Sequence, residues 1–176
     1  MRIFGQGVPP AFYEYPMGYN GRMSSIAVSG TEVVRPHGFF KPAGEDRTNY
    51  QASAQLDFEV EMGAFISLPI NGPKTVTAKE AADHIFGYVL LNDWSARDIQ
   101  KHEMAPFGPF HSKSFLTSIS PWVVTLDALR GSRTAPPASC SSPISPVLMC
   151  DEEDHGLFDV NLFASISRKI TIKLQQ

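Results

Sequence analysis

Glutamates at 59 and 61 flank a single valine in Leu56-Asp57-Phe58-Glu59-Val60-Glu61-Met62, and Asp93 opens the stretch Asp93-Trp94-Ser95-Ala96-Arg97-Asp98-Ile99-Gln100. Residues two apart on an extended strand share a face. Glu59 and Glu61 therefore project together with Asp57, while Leu56, Phe58, Val60 and Met62 take the opposite side. Like charges held that close are costly unless water or a cation neutralises them. If Asp93 ends a neighbouring strand, three hard oxygen donors converge on one point. Such a point suits Ca²⁺ or Mg²⁺ rather than zinc. The carboxylates alone fit a solvated strand face and a turn aspartate at least as well, so the neighbouring motifs must decide.

Arg97 and Gln100 lie three apart and share a face of any helix that follows Asp93, so both can address one ligand. The competing reading is a plain helix start, with Asp93 or Ser95 as N-cap and Arg97 paired to Asp93. Lys113 stands between Phe110 and Phe115. A lysine half-buried by two rings needs an anion or a developing negative charge beside it. Lys113 and Thr117 are the candidates from that segment. Tyr19, in the Gly-punctuated loop Pro16-Met17-Gly18-Tyr19-Asn20-Gly21-Arg22, offers a phenol donor or simply a packed ring. The histidines at 37, 84, 102, 111 and 155 form no zinc or nucleophile-base pattern. His111 is nearest the Lys113 segment in the chain, and none reads as an obvious general base.

These residues need a scaffold of strands and turns, which the composition supports. The chain has 176 residues, with 13 glycines and 14 prolines, enough for many turns and the length of one ordinary domain. Two short strands at 24–28 and 31–35 are expected to flank Ser29-Gly30 as a hairpin, with a loop from 35 to 49. The strongest strand is 55–68. Thr77-Ala78-Lys79-Glu80 is a capping box, and its helix is expected to run to about Phe86 with Gly87 at C′. Tyr88–Leu91 reads as a buried strand that delivers Asp93. Further strands are expected at 120–126 and 158–166. The Ser/Pro-rich stretch 131–146 reads as a flexible loop, and 167–176 as an unpaired, unfinished edge.

The net charge of −3 and the absence of any basic run give no support for nucleic-acid binding. No apolar stretch reaches the length of a membrane span, and no leader-like N-terminus is visible. Cys140 and Cys150 have neither metal-ligand spacing nor framework numbers, so a reducing, cytoplasmic setting is expected.

Taken together, the stretches 15–22, 28–31, 56–61, 84–87, 91–100, 108–110 and 120–124 resemble the fumarylacetoacetase family, within the wider fumarylacetoacetate hydrolase superfamily. The combination of Asn-Asp-Trp-Ser-Ala-Arg-Asp-Ile-Gln with Glu-x-Glu is specific, and the match covers roughly residues 8–130, with a weaker continuation at 158–162. The resemblance implies a mainly β (α+β) fold, part of the mixed β-sandwich roll of a C-terminal catalytic domain spanning 1–176. The N-terminal barrel-like domain and the end of the catalytic domain have no counterpart here. It implies a homodimeric hydrolase that splits 4-fumarylacetoacetate, a 1,3-diketo acid, into fumarate and acetoacetate, the last step of tyrosine and phenylalanine breakdown.

By the same resemblance, Glu59, Glu61 and Asp93 match Ca²⁺ ligands, and Tyr19 and Gln100 match substrate contacts. Arg2 stands at the spacing of another substrate contact. Arg97, Gln100 and Lys113 match polar groups of the reaction centre, and Lys113 with Thr117 falls at a Mg²⁺-type site. The family's fourth metal carboxylate, its catalytic histidine and the glutamate that orients it have no match. Negligible turnover by this chain alone is therefore expected. Ser112, Leu116 and Met104 depart from the family's usual Gly, Gly and Tyr, and Leu116 is expected to distort its loop. An acylpyruvase-like hydrolase and a non-catalytic remnant pairing with a full-length subunit are the alternatives.

Overall fold

The computed structural model describes residues 14–135, 145–149 and 157–167. Its strands are β1 (Ile26–Val28), β2 (His37–Phe40), β3 (Asn49–Ala52), β4 (Leu56–Asp57), β5 (Val60–Ile66), β6 (Ile85–Asp93), β7 (Ser95–Ala96), β8 (Thr117–Ile119), β9 (Val124–Thr125), β10 (Arg133–Thr134) and β11 (Leu157–Phe158). The helices are α1 (Ala78–His84), α2 (Arg97–Glu103) and α3 (Leu126–Leu129). This is a mainly β, α+β architecture.

β6 organises the main sheet. It pairs antiparallel with β5 from Val60↔Asn92 to Ile66↔Ile85, and with β8 and β9, while β1 joins parallel to β8. Two-stranded ladders join β2 to β3, β4 to β7 and β10 to β11. No described helix is long and apolar enough to cross a membrane.

The expected strand at 55–68 is two strands, because the chain changes partners partway. β4 pairs with β7 and β5 with β6, and Phe58-Glu59 bridges the step. Asn92 and Asp93 hold that step: Glu59 N–H donates to Asn92 Oδ1 at 3.1 Å, and Asp93 N–H donates to the Glu59 carbonyl at 3.2 Å.

The capping box forms, with Thr77 N–H donating to Glu80 Oε2 at 3.0 Å and Glu80 N–H to Thr77 Oγ1 at 3.3 Å. The helix it starts ends at His84, short of the expected Phe86, and the chain enters β6 at once. Gly87 is therefore a strand residue rather than a C′ cap. A Cβ there would lie 2.5 Å from the Val124 carbonyl oxygen, so the glycine admits β9 against β6.

Other expectations are corrected by pairing that only the fold creates. The 24–35 hairpin is absent: Gly30 turns with φ +102°, no strand follows, and β1 finds its partner in distant β8. The 35–49 loop contains β2. The run 88–91 is not uniformly buried, since Val89 is 4% exposed and Leu90 57%. The 120–126 strand shrinks to β9, whose Thr125 caps α3. Of 131–146, residues 133–134 pair with β11 and 136–144 lie outside the described residues. The 158–166 strand is confined to its first residue, in β11. Residues 168–176, the expected edge, also lie outside.

Burial concentrates where β6, β7 and α2 meet. Phe40, Ala96 and Ile99 form the apolar cluster, with Phe115 packed against it. Ile99 presses so closely on β2 that a Cβ on Gly38 would come within 2.6 Å of its Cδ1. Among the described residues, the buried polar ones, Ser53, Asp93, Ser95, Ser112 and Lys113, outnumber the buried apolar ones and lie in the same region. The most tightly packed part of the described fold thus surrounds polar groups, which proteins bury only when each has a partner or a use.

Candidate functional site

Asp93, the last residue of β6, is 6% exposed. Its Oδ2 accepts from the Tyr19 hydroxyl at 2.6 Å and from Lys113 Nζ at 2.9 Å. Its Oδ1 is buried and has no partner among the described residues. Glu59, at the step between β4 and β5, meets Lys113 Nζ at 2.6 Å through one oxygen and Arg97 Nη2 at 2.8 Å through the other. Glu61 brings a third carboxylate: oxygens of Glu59, Glu61 and Asp93 all lie within 4.8 Å of one another.

Two cations face this group. Arg97, the first residue of α2, spreads its fork: Nε to Asp57 Oδ2 at 2.7 Å, Nη2 to Glu59, and Nη1 to Gln100 Oε1 at 2.9 Å. The helix spacing of Arg97 and Gln100 does bring them together, but the arginine's carboxylate partners are Asp57 and Glu59, not Asp93. Nor does Asp93 or Ser95 cap α2: its N-cap is Ala96, which makes no side-chain bond. Lys113, 7% exposed, reaches in from a 3₁₀ turn at His111–Lys113. Thr117 of β8 lies opposite Asp93 in the ladder. The Tyr19 loop is tied to the lysine segment by Arg22, whose guanidinium donates to the Ser114 carbonyl. Beside it a cavity of about 320 Å³ is lined in part by Tyr19, Arg22 and His111. Arg2 lies outside the described residues.

Four carboxylates against two cations leave an excess of negative charge, and the proton affinities register it. Burial pushes Glu59 up, but the Lys113 ammonium and Arg97 override it and hold the carboxyl below its ordinary range. Asp57 is likewise held down by Arg97 against the effect of burial. Glu61 moves the other way: burial raises it, and the hydrogen bond and charge of Glu59, then Asp93, raise it further. Burial and the bond to Asp93 also raise the Tyr19 phenol far above its usual value, so it stays a donor. One carboxylate in this cluster resists ionising, and one buried carboxylate oxygen lacks a partner. An added hard divalent cation would relieve both, and the all-oxygen donor set fits Ca²⁺. The Lys113 side chain has donors only and cannot ligate a metal.

Of the departures flagged in the sequence, Leu116 needs no special backbone: no described non-glycine residue has positive φ. Ser112 is fully buried and its hydroxyl donates to Glu103. Met104 ends α2 as its C-cap. Three contributors escaped sequence reasoning. Asp57 was visible in the alternation but had no assigned partner. Asn92 acts through a backbone bond that no pattern announces. Glu103 acts on backbone amides beyond its own helix, which no side-chain spacing marks.

Residues 4–171 match the family model described as fumarylacetoacetate (FAA) hydrolase C-terminal. The chain is 42% identical over 165 residues to a fumarylacetoacetase of Oryza sativa subsp. japonica, covering 92% of this chain and 37% of that protein. It is 43% identical over 157 residues to the Homo sapiens fumarylacetoacetase, with 89% and 37% covered. Against that of Aspergillus fumigatus it is 49% identical over 129 residues, with 72% and 30% covered. It therefore spans about a third of the length of these relatives. A solved 2-hydroxyhepta-2,4-diene-1,7-dioate isomerase from Mycobacterium marinum is 23% identical with a TM-score of 0.36, covering 58% of this chain and 42% of that one, too slight a likeness to build on.

Proposed function

This chain belongs to the fumarylacetoacetate hydrolase family, and on that premise we propose that it carries part of a metal-dependent centre that hydrolyses a C–C bond in a 1,3-diketo acid. The substrate we propose is 4-fumarylacetoacetate, cleaved to fumarate and acetoacetate in tyrosine and phenylalanine breakdown, as the relatives' names suggest. The observation that carries the reading is the partnerless, buried Asp93 Oδ1 within a triad of carboxylates.

Glu59, Glu61 and Asp93 would hold a Ca²⁺ ion. When bound, the ion would supply Lewis acidity and a template for the diketone oxygens. Arg97 and Lys113 place positive charge at the edge of the cluster, where negative charge on a departing enolate would develop. Gln100, held by Arg97, orients oxygen-rich substrate groups, Tyr19 contacts the substrate once its hydroxyl leaves Asp93, and Arg2 adds a further contact in this reading. A Mg²⁺ ion at the Lys113–Thr117 segment would need carbonyl or hydroxyl oxygens, because the ammonium offers none. A homodimer in the cytoplasm completes the reading.

Calcium titration calorimetry tests it. A single site is expected in the wild type and none in Asp93→Asn; equal heats in the two proteins would refute the centre. Fumarate release from fumarylacetoacetate tests the chemistry. Bound diketone without turnover is expected of these residues alone, since none of them has been placed as the base.

A further inference from the structure

Glu103 is the last residue of α2, where the helix macrodipole favours cations and disfavours a carboxylate. It is nevertheless the most heavily used acceptor near the site. Its Oε1 accepts from Phe110 N–H at 2.6 Å and Ser112 N–H at 3.0 Å, and also from the Ser112 hydroxyl; its Oε2 accepts from His111 N–H at 3.2 Å. Three successive backbone amides, 110 to 112, are thus gathered on one carboxylate. The next residue is Lys113, whose ammonium sits between Glu59 and Asp93.

From this we infer that Glu103 is a positioning residue: it clamps the 110–112 backbone so that the Lys113 ammonium is delivered to the carboxylate cluster, with Ser112 as the side-chain latch. The inference rests on the proposed reaction only for its purpose, because the placement of Lys113 can be measured without any substrate. The helix gives the clamp its accuracy. Arg97 is the first residue of α2 and Glu103 the last, about 9 Å along one rigid rod at 1.5 Å per residue. Both cations that face Glu59 are therefore referenced to one element, Arg97 directly and Lys113 through Glu103. An amide cannot replace the clamp. The Glu103→Gln change would turn an NH₂ donor toward one of the amides that now donate, leaving at least one N–H without an acceptor.

A brief acetic anhydride pulse on the folded 176-residue chain, read by peptide mass spectrometry, tests this. Lys41 and Lys74, whose side chains are 52% and 61% exposed, serve as internal references. In the wild type, Lys113 should be labelled far more slowly than either. Glu103→Gln should raise Lys113 labelling about tenfold or more relative to the references, and Ser112→Ala about fivefold, as expected for loss of several bonds and of one. If Glu103→Gln fails to fold by circular dichroism, Ser112→Ala decides by the same criterion. Unchanged relative labelling of Lys113 in a folded variant overturns the inference, and so does faster backbone amide exchange throughout β5 and β6, which marks general loosening. Neither result depends on metal or substrate, so a chain that binds no calcium would overturn the proposed centre and leave the clamp standing.

Discussion

Replacing Lys113 with methionine keeps most of the volume of the side chain and removes the ammonium, its charge and its N–H donors together. The ammonium lies 2.6 Å from Glu59 and 2.9 Å from Asp93, and its side chain is 3% exposed. At an effective dielectric of about 20, each contact carries about 6 kcal/mol of Coulomb attraction, most of it offset by the cost of removing the ions from water. What remains measurable is the penalty of leaving Asp93 without its cation and Glu59 with Arg97 alone, about 3–5 kcal/mol for a buried pair broken on one side. That is a large part of the roughly 5–15 kcal/mol that holds a domain together. With a urea slope near 2 kcal/mol per molar, the unfolding midpoint should fall by about 1.5–2.5 M. Calcium supplies the second arm of the assay. An ion bound by the same carboxylates replaces the missing charge and stabilises the fold by about 2.7 kcal/mol at a hundredfold excess over its dissociation constant. The gap between variant and wild type should therefore narrow when calcium is added. A midpoint shift below about 0.5 M in metal-free buffer would show that Glu59 and Asp93 do not depend on Lys113. A full-sized gap that calcium leaves unchanged would show that the ion and the ammonium do not share ligands.

Gly87→Ala should destabilise the sheet by about 3 kcal/mol, because its Cβ would lie 2.5 Å from the carbonyl oxygen of Val124, a backbone atom that no rotamer change can move aside; thermal unfolding measures it, and a loss under about 1 kcal/mol would mean that β9 shifts freely. Asp98 accepts from Ser53 Oγ and Ala54 N–H at 2.6 Å and from Ile99 N–H at 2.9 Å. Burial opposes these bonds, but they win and hold its pKa below the ordinary value. The stability this carboxylate contributes is then present above its unfolded pKa of about 3.9 and is lost as pH falls through the lower folded value. Asp98→Asn should accordingly be less stable at neutral pH and show a shallower loss of stability below about pH 4, in urea midpoints measured across the acid range.

The sequence announced those parts of the fold and site that depend on short-range rules. Glu59 and Glu61 bring their carboxylates together because extended residues two apart point the same way, Arg97 meets Gln100 because helices repeat, and Thr77 starts a helix because its hydroxyl and Glu80 satisfy each other locally. Long-range pairing was not legible. The stretch 56–62 alternates without a break, yet the chain divides at Phe58-Glu59 because it pairs first with β7 and then with β6. Gly87 looked like a helix stop because glycine serves helix ends and close strand approach equally well. Glu103 was invisible for a related reason: its partners are backbone amides, which every residue type but proline carries, so no spacing of side chains reveals them.

Trp94, next to Asp93, is half-buried and its indole N–H donates to Ser118 Oγ at 2.9 Å, one residue from the Thr117 that faces Asp93 in the ladder. The only other tryptophan of the chain, Trp122, is 77% exposed. The two indoles therefore report different environments in one emission spectrum. Iodide should silence the red-shifted light of Trp122 and leave the bluer light of Trp94, whose hydrogen bond fixes it between the strands that carry the carboxylate. The protein thus contains its own optical gauge of the order at the end of β6, readable without a label.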